Sequence, residues 1–141
     1  MIPLNLFFDG AKNVQGSNVV HLPKLNQGAP YSFGLKVRYE DDSYRSWADI
    51  VEIRWKVKLR PADKHELLEL YLSAGNFVVQ GDQLNFVVKA VDWDGVVLPQ
   101  SVNYLETDVP FTFVMEILDA EGKVLERFAH GSGLIAVDLN T

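Results

Sequence analysis

Asp49 to Arg60 carries the clearest strand pattern of the chain, alternating from Val51 onward. Val51, Ile53, Trp55, Val57 and Leu59 fall on one parity, and Glu52, Arg54, Lys56, Lys58 and Arg60 on the other. Side chains of a strand point to opposite faces in turn, so this spacing predicts a strand with one face in a core and one in water. A helix would scatter the same residues around its circumference. Burying one large apolar side chain stabilises by about 1.5–3 kcal/mol, so an inward row of five is a large term in favour of a sheet. Trp55 is the expected centre of that core.

Other segments repeat the pattern. Tyr31 to Tyr39 places Phe33, Leu35, Val37 and Tyr39 on one face, and Glu40 to Ser43 forms a polar turn after it. Phe77 to Val79, a turn at Gln80-Gly81-Asp82, and Leu84 to Val91 follow. Asp92-Trp93-Asp94-Gly95 reads as another turn. Phe111 to Leu118 carries Phe111, Phe113, Met115 and Ile117 on one face. Asp119-Ala120-Glu121-Gly122 is a hairpin signal, with glycine placed for a left-handed conformation. Val124 to Ala129 returns, His130-Gly131-Ser132-Gly133 reads as a break, and Leu134 to Leu139 ends the pattern.

Pro61 to Leu72 is ambiguous. Asp63 and Glu66 resemble a capping box and Leu68 and Leu72 lie four apart, as in a helix. A turn followed by a strand with Leu68, Leu70 and Leu72 inward fits the all-strand neighbourhood better. Residues 1–30 differ, being rich in Gly, Pro, Asn and Gln with short apolar pieces. They read as an extended N-terminal arm with one or two short strands, ahead of a single domain over 31–141. The fold expected is all-β: an immunoglobulin-like β-sandwich of about 7–8 antiparallel strands.

The 141 residues suit one domain, and the absence of cysteine removes disulfides and thiolate metal sites. A net charge of −6 argues against a nucleic-acid partner. No signal-peptide pattern opens the chain and no apolar run approaches the length of a membrane span, so nothing marks it for secretion or for a membrane.

Chemistry is sparse. His21, His65 and His130 lie in or beside expected turns, without a second ligand at metal spacing. No nucleophile motif or phosphate loop occurs. Asp92, Asp94 and Gly95 resemble the start of a calcium loop, but Val96, Val97 and Leu98 stand where further ligands belong. Asp92 could approach Glu106 and Asp108 as a carboxylate pair for sugar hydrolysis; scattered loop carboxylates are the simpler reading. No enzyme activity and no cofactor are expected.

The residues left for binding are few. Arg54, Lys56 and Lys58, continued by Arg60, make a basic stripe that either meets an acidic partner surface or a nucleic acid, or, the simpler reading, pairs with acidic neighbours on its own sheet. Leu6, Phe7, Phe8 and Trp93 are apolar groups in arm or turn contexts, which either fold back or insert into a partner. Trp47, Trp93, Tyr44 and Tyr104 would be the ring platform of a carbohydrate-binding β-sandwich module, the alternative function, with a glycan as partner.

The order of segments resembles the immunoglobulin-like N-terminal domain of the phage baseplate upper protein family. The likeness spans about residues 25–138. It runs through Leu25-Asn26-Gln27-Gly28, the strand Tyr31 to Tyr39, the acidic turn Glu40 to Ser43 and the alternating strand Ile50 to Leu59. It ends in the hairpin of Phe111 to Leu118, Asp119 to Gly122, and Lys123 to Ala129, a glycine at 131 or 133, then Leu134 to Val137. The resemblance implies a bacteriophage virion protein of the tail, baseplate or capsid surface, made in the host bacterial cytoplasm. Such a protein would contact other virion proteins in a homo-oligomer or symmetric multi-copy assembly. A copy that ends after this domain would be an adaptor or decoration component.

Overall fold

The structure, a computed structural model, describes residues 3–7, 19–38, 42–60, 63–96, 98 and 108–136. Among the described residues ten strands build two sheets. The first sheet has the order β1 (Pro3–Phe7), β4 (Tyr31–Arg38), β8 (Gln83–Val88) and β7 (Phe77–Gln80). The second runs β2 (Val19–His21), β10 (Val124–Ala136), β9 (Asp108–Leu118), β5 (Glu52–Lys58) and β6 (Leu68–Tyr71), with β3 (Leu25–Asn26) also on β10. The expected β-sandwich is what the chain forms.

Alternation places the core. Ile53, Trp55 and Val57 of β5 are buried, as are Phe111, Phe113, Met115 and Ile117 of β9. From the other sheet come Phe33, Leu35, Val37, Leu84, Phe86 and Val88. Trp55 meets Phe86 across the gap with ring centroids 4.9 Å apart, edge to face, and Phe86 lies 5.1 Å from both Phe33 and Phe77. Such tilted and edge-on pairs are favoured by the ring quadrupoles. At one end Trp47 closes the sandwich against Phe128, with centroids 5.1 Å apart.

Several expectations need correction. β5 begins at Glu52, and Val51 is 62% exposed, because residues 48–49 form a turn and the chain does not yet lie over the core. His130 to Gly133 does not break the chain; β10 runs continuously through it. The strands within the first thirty residues join the sheets of the domain: β1 pairs parallel with β4, and β2 and β3 pair parallel with β10. Leu22 and Leu25 lie in the core. The sandwich is therefore not purely antiparallel. From residue 63 on, the ambiguous stretch is irregular chain followed by strand β6, with Leu70 buried, and Leu72 opens a short 3-10 turn; Pro61 and Ala62 lie outside the described residues. The turn at residues 119–122 forms as expected, with Gly122 at φ 83°.

Candidate protein-interaction surface

The basic stripe projects from the outward face of β5, between β9 and β6. Register sets Arg54 opposite Glu116 of β9, and Glu116 opposite Arg127 of β10. Glu116 is fully buried although it points away from the core, because the cations close over it. Its Oε1 accepts hydrogen bonds from Arg54 Nε at 3.1 Å and Nη2 at 2.8 Å, and its Oε2 accepts one from Arg127 Nε at 2.9 Å. Lys56 Nζ stands 3.5 Å from Oε1 and 3.9 Å from Glu66. Burial pushes the Glu116 carboxyl up, but the Arg127 and Arg54 hydrogen bonds and the Lys56 charge outweigh it and hold it below its ordinary value. Arg54 and Lys56 are thus engaged within the sheet. Lys58 lies beyond them, where its backbone oxygen accepts from Thr112 Oγ1 at 3.4 Å, and Arg60 is exposed past the strand end. Glu116 itself is legible only once the register of β5 and β9 is known.

The apolar candidates separate. Leu6 and Phe7 lie in β1, opposite Val37 and Arg38. Phe8 lies outside the described residues. Trp93 is not open to a partner: its ring is 5% exposed at the end of a 3-10 turn over Ala90–Trp93, and Nε1 donates to the Ala29 oxygen at 3.0 Å. An indole packs well inward when its N–H finds an acceptor there. Trp47 is likewise buried, with Nε1 donating to the Asp82 oxygen at 3.1 Å. Of the four rings named for a sugar platform, these two are core, Tyr44 is exposed under the Lys36 ammonium, and Tyr104 lies outside the described residues. A platform needs coplanar open rings, so Trp47 and Trp93 cannot supply one.

The titratable candidates also disperse. His21 ends β2 with Nδ1 3.4 Å from Ser132 Oγ, His130 lies within β10, and His65 is exposed. Asp92 Oδ2 accepts from the Lys89 N–H and from Asn76 Nδ2, each at 2.7 Å, so it is tied into the protein rather than open to calcium or to a sugar. Asp108 pairs with Lys24 at 2.7 Å, and Glu106 lies outside the described residues. Among the described residues no group of three or more His, Cys, Asp or Glu is placed to hold a metal. A cleft of about 390 Å³ opens over the ends of β9 and β10, lined by His21, Leu59, Thr112, Ser132 and Leu134 among others.

The feature that sequence reading missed is the edge formed by β7. This strand ends the first sheet, and no described strand covers its outer side. Its residues are Phe77, Val78, Val79 and Gln80, with no charge, no proline and no bulge. Phe77 anchors it in the core, while Val78 is 46% and Val79 37% exposed. Edge strands of soluble proteins are ordinarily guarded by charge, proline or a bulge, since their free N–H and C=O groups invite pairing. The Val87 N–H donates to the Asn76 oxygen at 2.7 Å, and Asn76 Nδ2 donates to the Val87 oxygen at 2.9 Å. Pairing alternates along an antiparallel ladder, so Val78 bonds inward to Asn85, and Phe77 and Val79 turn their N–H and C=O outward. Lys89 and Asp82 flank the strand. Lys89 Nζ donates to the Ala74 oxygen at 2.6 Å, and Asp82 sits at the far end, 3.5 Å from Lys36.

No protein-family model matches the chain, and no curated protein does. Among solved structures the chain is similar to the N-terminal domain of phage TP901-1 ORF48, with a TM-score of 0.38 and 11% identity, over 98% of this chain and 99% of that one.

Proposed function

We propose that the chain is a structural component of a bacteriophage particle, an adaptor or decoration piece of the tail, baseplate or capsid surface that acts through contacts with other proteins. The observation that carries the contact role is the uncharged edge of β7, which no described strand covers, with its outward N–H and C=O groups at Phe77 and Val79. Strand addition at such an edge supplies main-chain hydrogen bonds without needing a pocket. The phage assignment comes from the order of segments between residues 25 and 138. The groups that chemistry would need favour this reading too: Glu116 and Asp92 are held in internal bonds, and the histidines stand apart.

The test is composition of the particle. Purified particles of the phage that encodes this chain should contain it in multiple copies by quantitative mass spectrometry. Finding it only in the infected-cell lysate, and never in particles purified through a density gradient, would overturn the proposal.

A further inference from the structure

We infer that the cleft over the ends of β9 and β10, together with the unpaired end of the basic stripe, docks an acidic peptide segment of a partner protein that carries an apolar side chain between its carboxylates. The inference rests on reading the chain as a protein-contact component, and it adds a second contact on the sheet to which β7 does not belong.

Glu116 uses up only half of the stripe. Arg54 and Lys56 close over its carboxylate, whereas neither Lys58 nor Arg60 is ion-paired among the described residues. Register sets Lys58, Thr112, Ser132 and His21 in one row across β5, β9, β10 and β2. Neighbouring strands stand about 4.8 Å apart, so the row is about 14 Å long. Thr112, Ser132 and His21 line the cleft of about 390 Å³, as does Lys24. Among the described residues no carboxylate lines it, although the chain carries a net charge of −6. This local surplus of positive charge selects an acidic partner. The other walls are apolar: Leu22, Leu59, Pro110 and Leu134, the last 40% exposed. A free anion would keep its water and gain nothing from such walls. A sugar would need an open ring to lie on, and the phenyl ring of the lining, Phe111, is only 1% exposed. A peptide uses both halves of the site. Its apolar side chain enters between the four walls, and the carboxylates beside it meet Lys58 and Arg60. The Ser132 hydroxyl, 3.4 Å from His21 Nδ1, can turn its proton toward one of those carboxylates. Such a contact is weak alone and becomes effective when an assembly holds many copies together.

Titration of the full chain with peptides, read by amide NMR shifts, tests this. The end-blocked pentapeptide Glu-Asp-Leu-Asp-Glu should move the amides of Thr112, Ser132 and Leu134, with a Kd on the order of 1 mM. Replacing its Leu by Gly, or its four acids by Lys, should each weaken binding about fivefold or more. Lys58→Glu with Arg60→Glu should reverse the charge preference, so that the Lys peptide binds the better. Thermal unfolding separates a lost site from a lost fold. Lys58→Gln with Arg60→Gln is the milder second pair and should abolish the preference without reversing it. No shift at those amides with about 10 mM of the Leu peptide overturns the inference. Equal binding of the Gly peptide overturns it too, since that is attraction of charge alone. So does a short oligothymidylate that binds as tightly as the Leu peptide, which would make the site one for nucleic acid. These failures leave the particle role standing, because particle composition reads it separately. A chain that takes the peptide but is missing from particles would sink that role and leave the cleft site.

Discussion

Gly133 lies flat against the Phe111 ring: a Cβ on Gly133 would stand 2.8 Å from Phe111 Cζ and 2.9 Å from Cε1. The two residues face each other in the β9–β10 ladder, and Phe111 is fully buried beside Trp55. The ring cannot retreat without pushing on the Trp55 cluster. Gly133→Ala should therefore destabilise the fold by about 1–3 kcal/mol, the usual cost of overfilling a packed core. Urea denaturation with an unchanged slope would report it. A wild-type midpoint would show that the ring has room to move.

That contact also explains where sequence reading failed in β10. Glycine beside serine reads as a break when only backbone preference is considered. Here the missing side chain serves a ring on the neighbouring strand, which no single segment reveals. The inward rows of β4, β5 and β9 were legible because alternation is local to each strand. Val51 was misplaced because alternation does not say where a strand leaves the core. The parallel joins of β1, β2 and β3 were illegible for a related reason: periodicity carries no information about a neighbour's direction. The candidate site was less legible still. The basic stripe was visible, but Glu116 became its counter-charge only through register, and β7 became an edge only through strand order.

Glu116 should make stability depend on acid. Its folded carboxyl ionises below the ordinary range, so its ion pairs contribute fully above that range. The contribution is lost as pH falls through the ordinary value and on past the folded one. Glu116→Gln should cost about 3 kcal/mol at neutral pH, at the low end for a broken buried pair because Arg127 keeps half its side chain in water. The variant should also show a flatter loss of stability on acidification. Parallel stability–pH curves for wild type and variant would contradict the assignment of the shift to this group.

Asn76 stitches three elements together. Its own N–H donates to the Tyr71 oxygen of β6, while Nδ2 reaches the Val87 oxygen and Asp92. The side chain thereby replaces the ladder bond that its N–H gives up. Asn76→Ala would leave a β8 carbonyl without its donor and remove one bond from Asp92. The Tyr71 N–H also loses Asn76 Oδ1, its acceptor at 3.4 Å, so three polar groups lose a partner and a loss of about 2–4 kcal/mol is expected. Faster amide exchange at the β6–β7 corner, read residue by residue, would locate the damage there. Loss confined to a distant strand would refute this account.

The two core tryptophans should respond differently to the same change. Trp47 and Trp55 are both buried to within 1%. Trp47 Nε1 donates to the Asp82 oxygen, whereas Trp55 Nε1 has no hydrogen-bond partner among the described residues. Replacing either by Phe removes similar volume and contact, which destabilises. At Trp47 the change also strips the Asp82 carbonyl of its donor, and a total near 2 kcal/mol is expected. At Trp55 it instead removes an N–H buried without an acceptor, which offsets much of the packing loss, so the cost should stay under about 1 kcal/mol. Denaturation midpoints of Trp47→Phe and Trp55→Phe, measured side by side, decide the matter. Equal losses would mean that the Trp55 N–H has a partner after all.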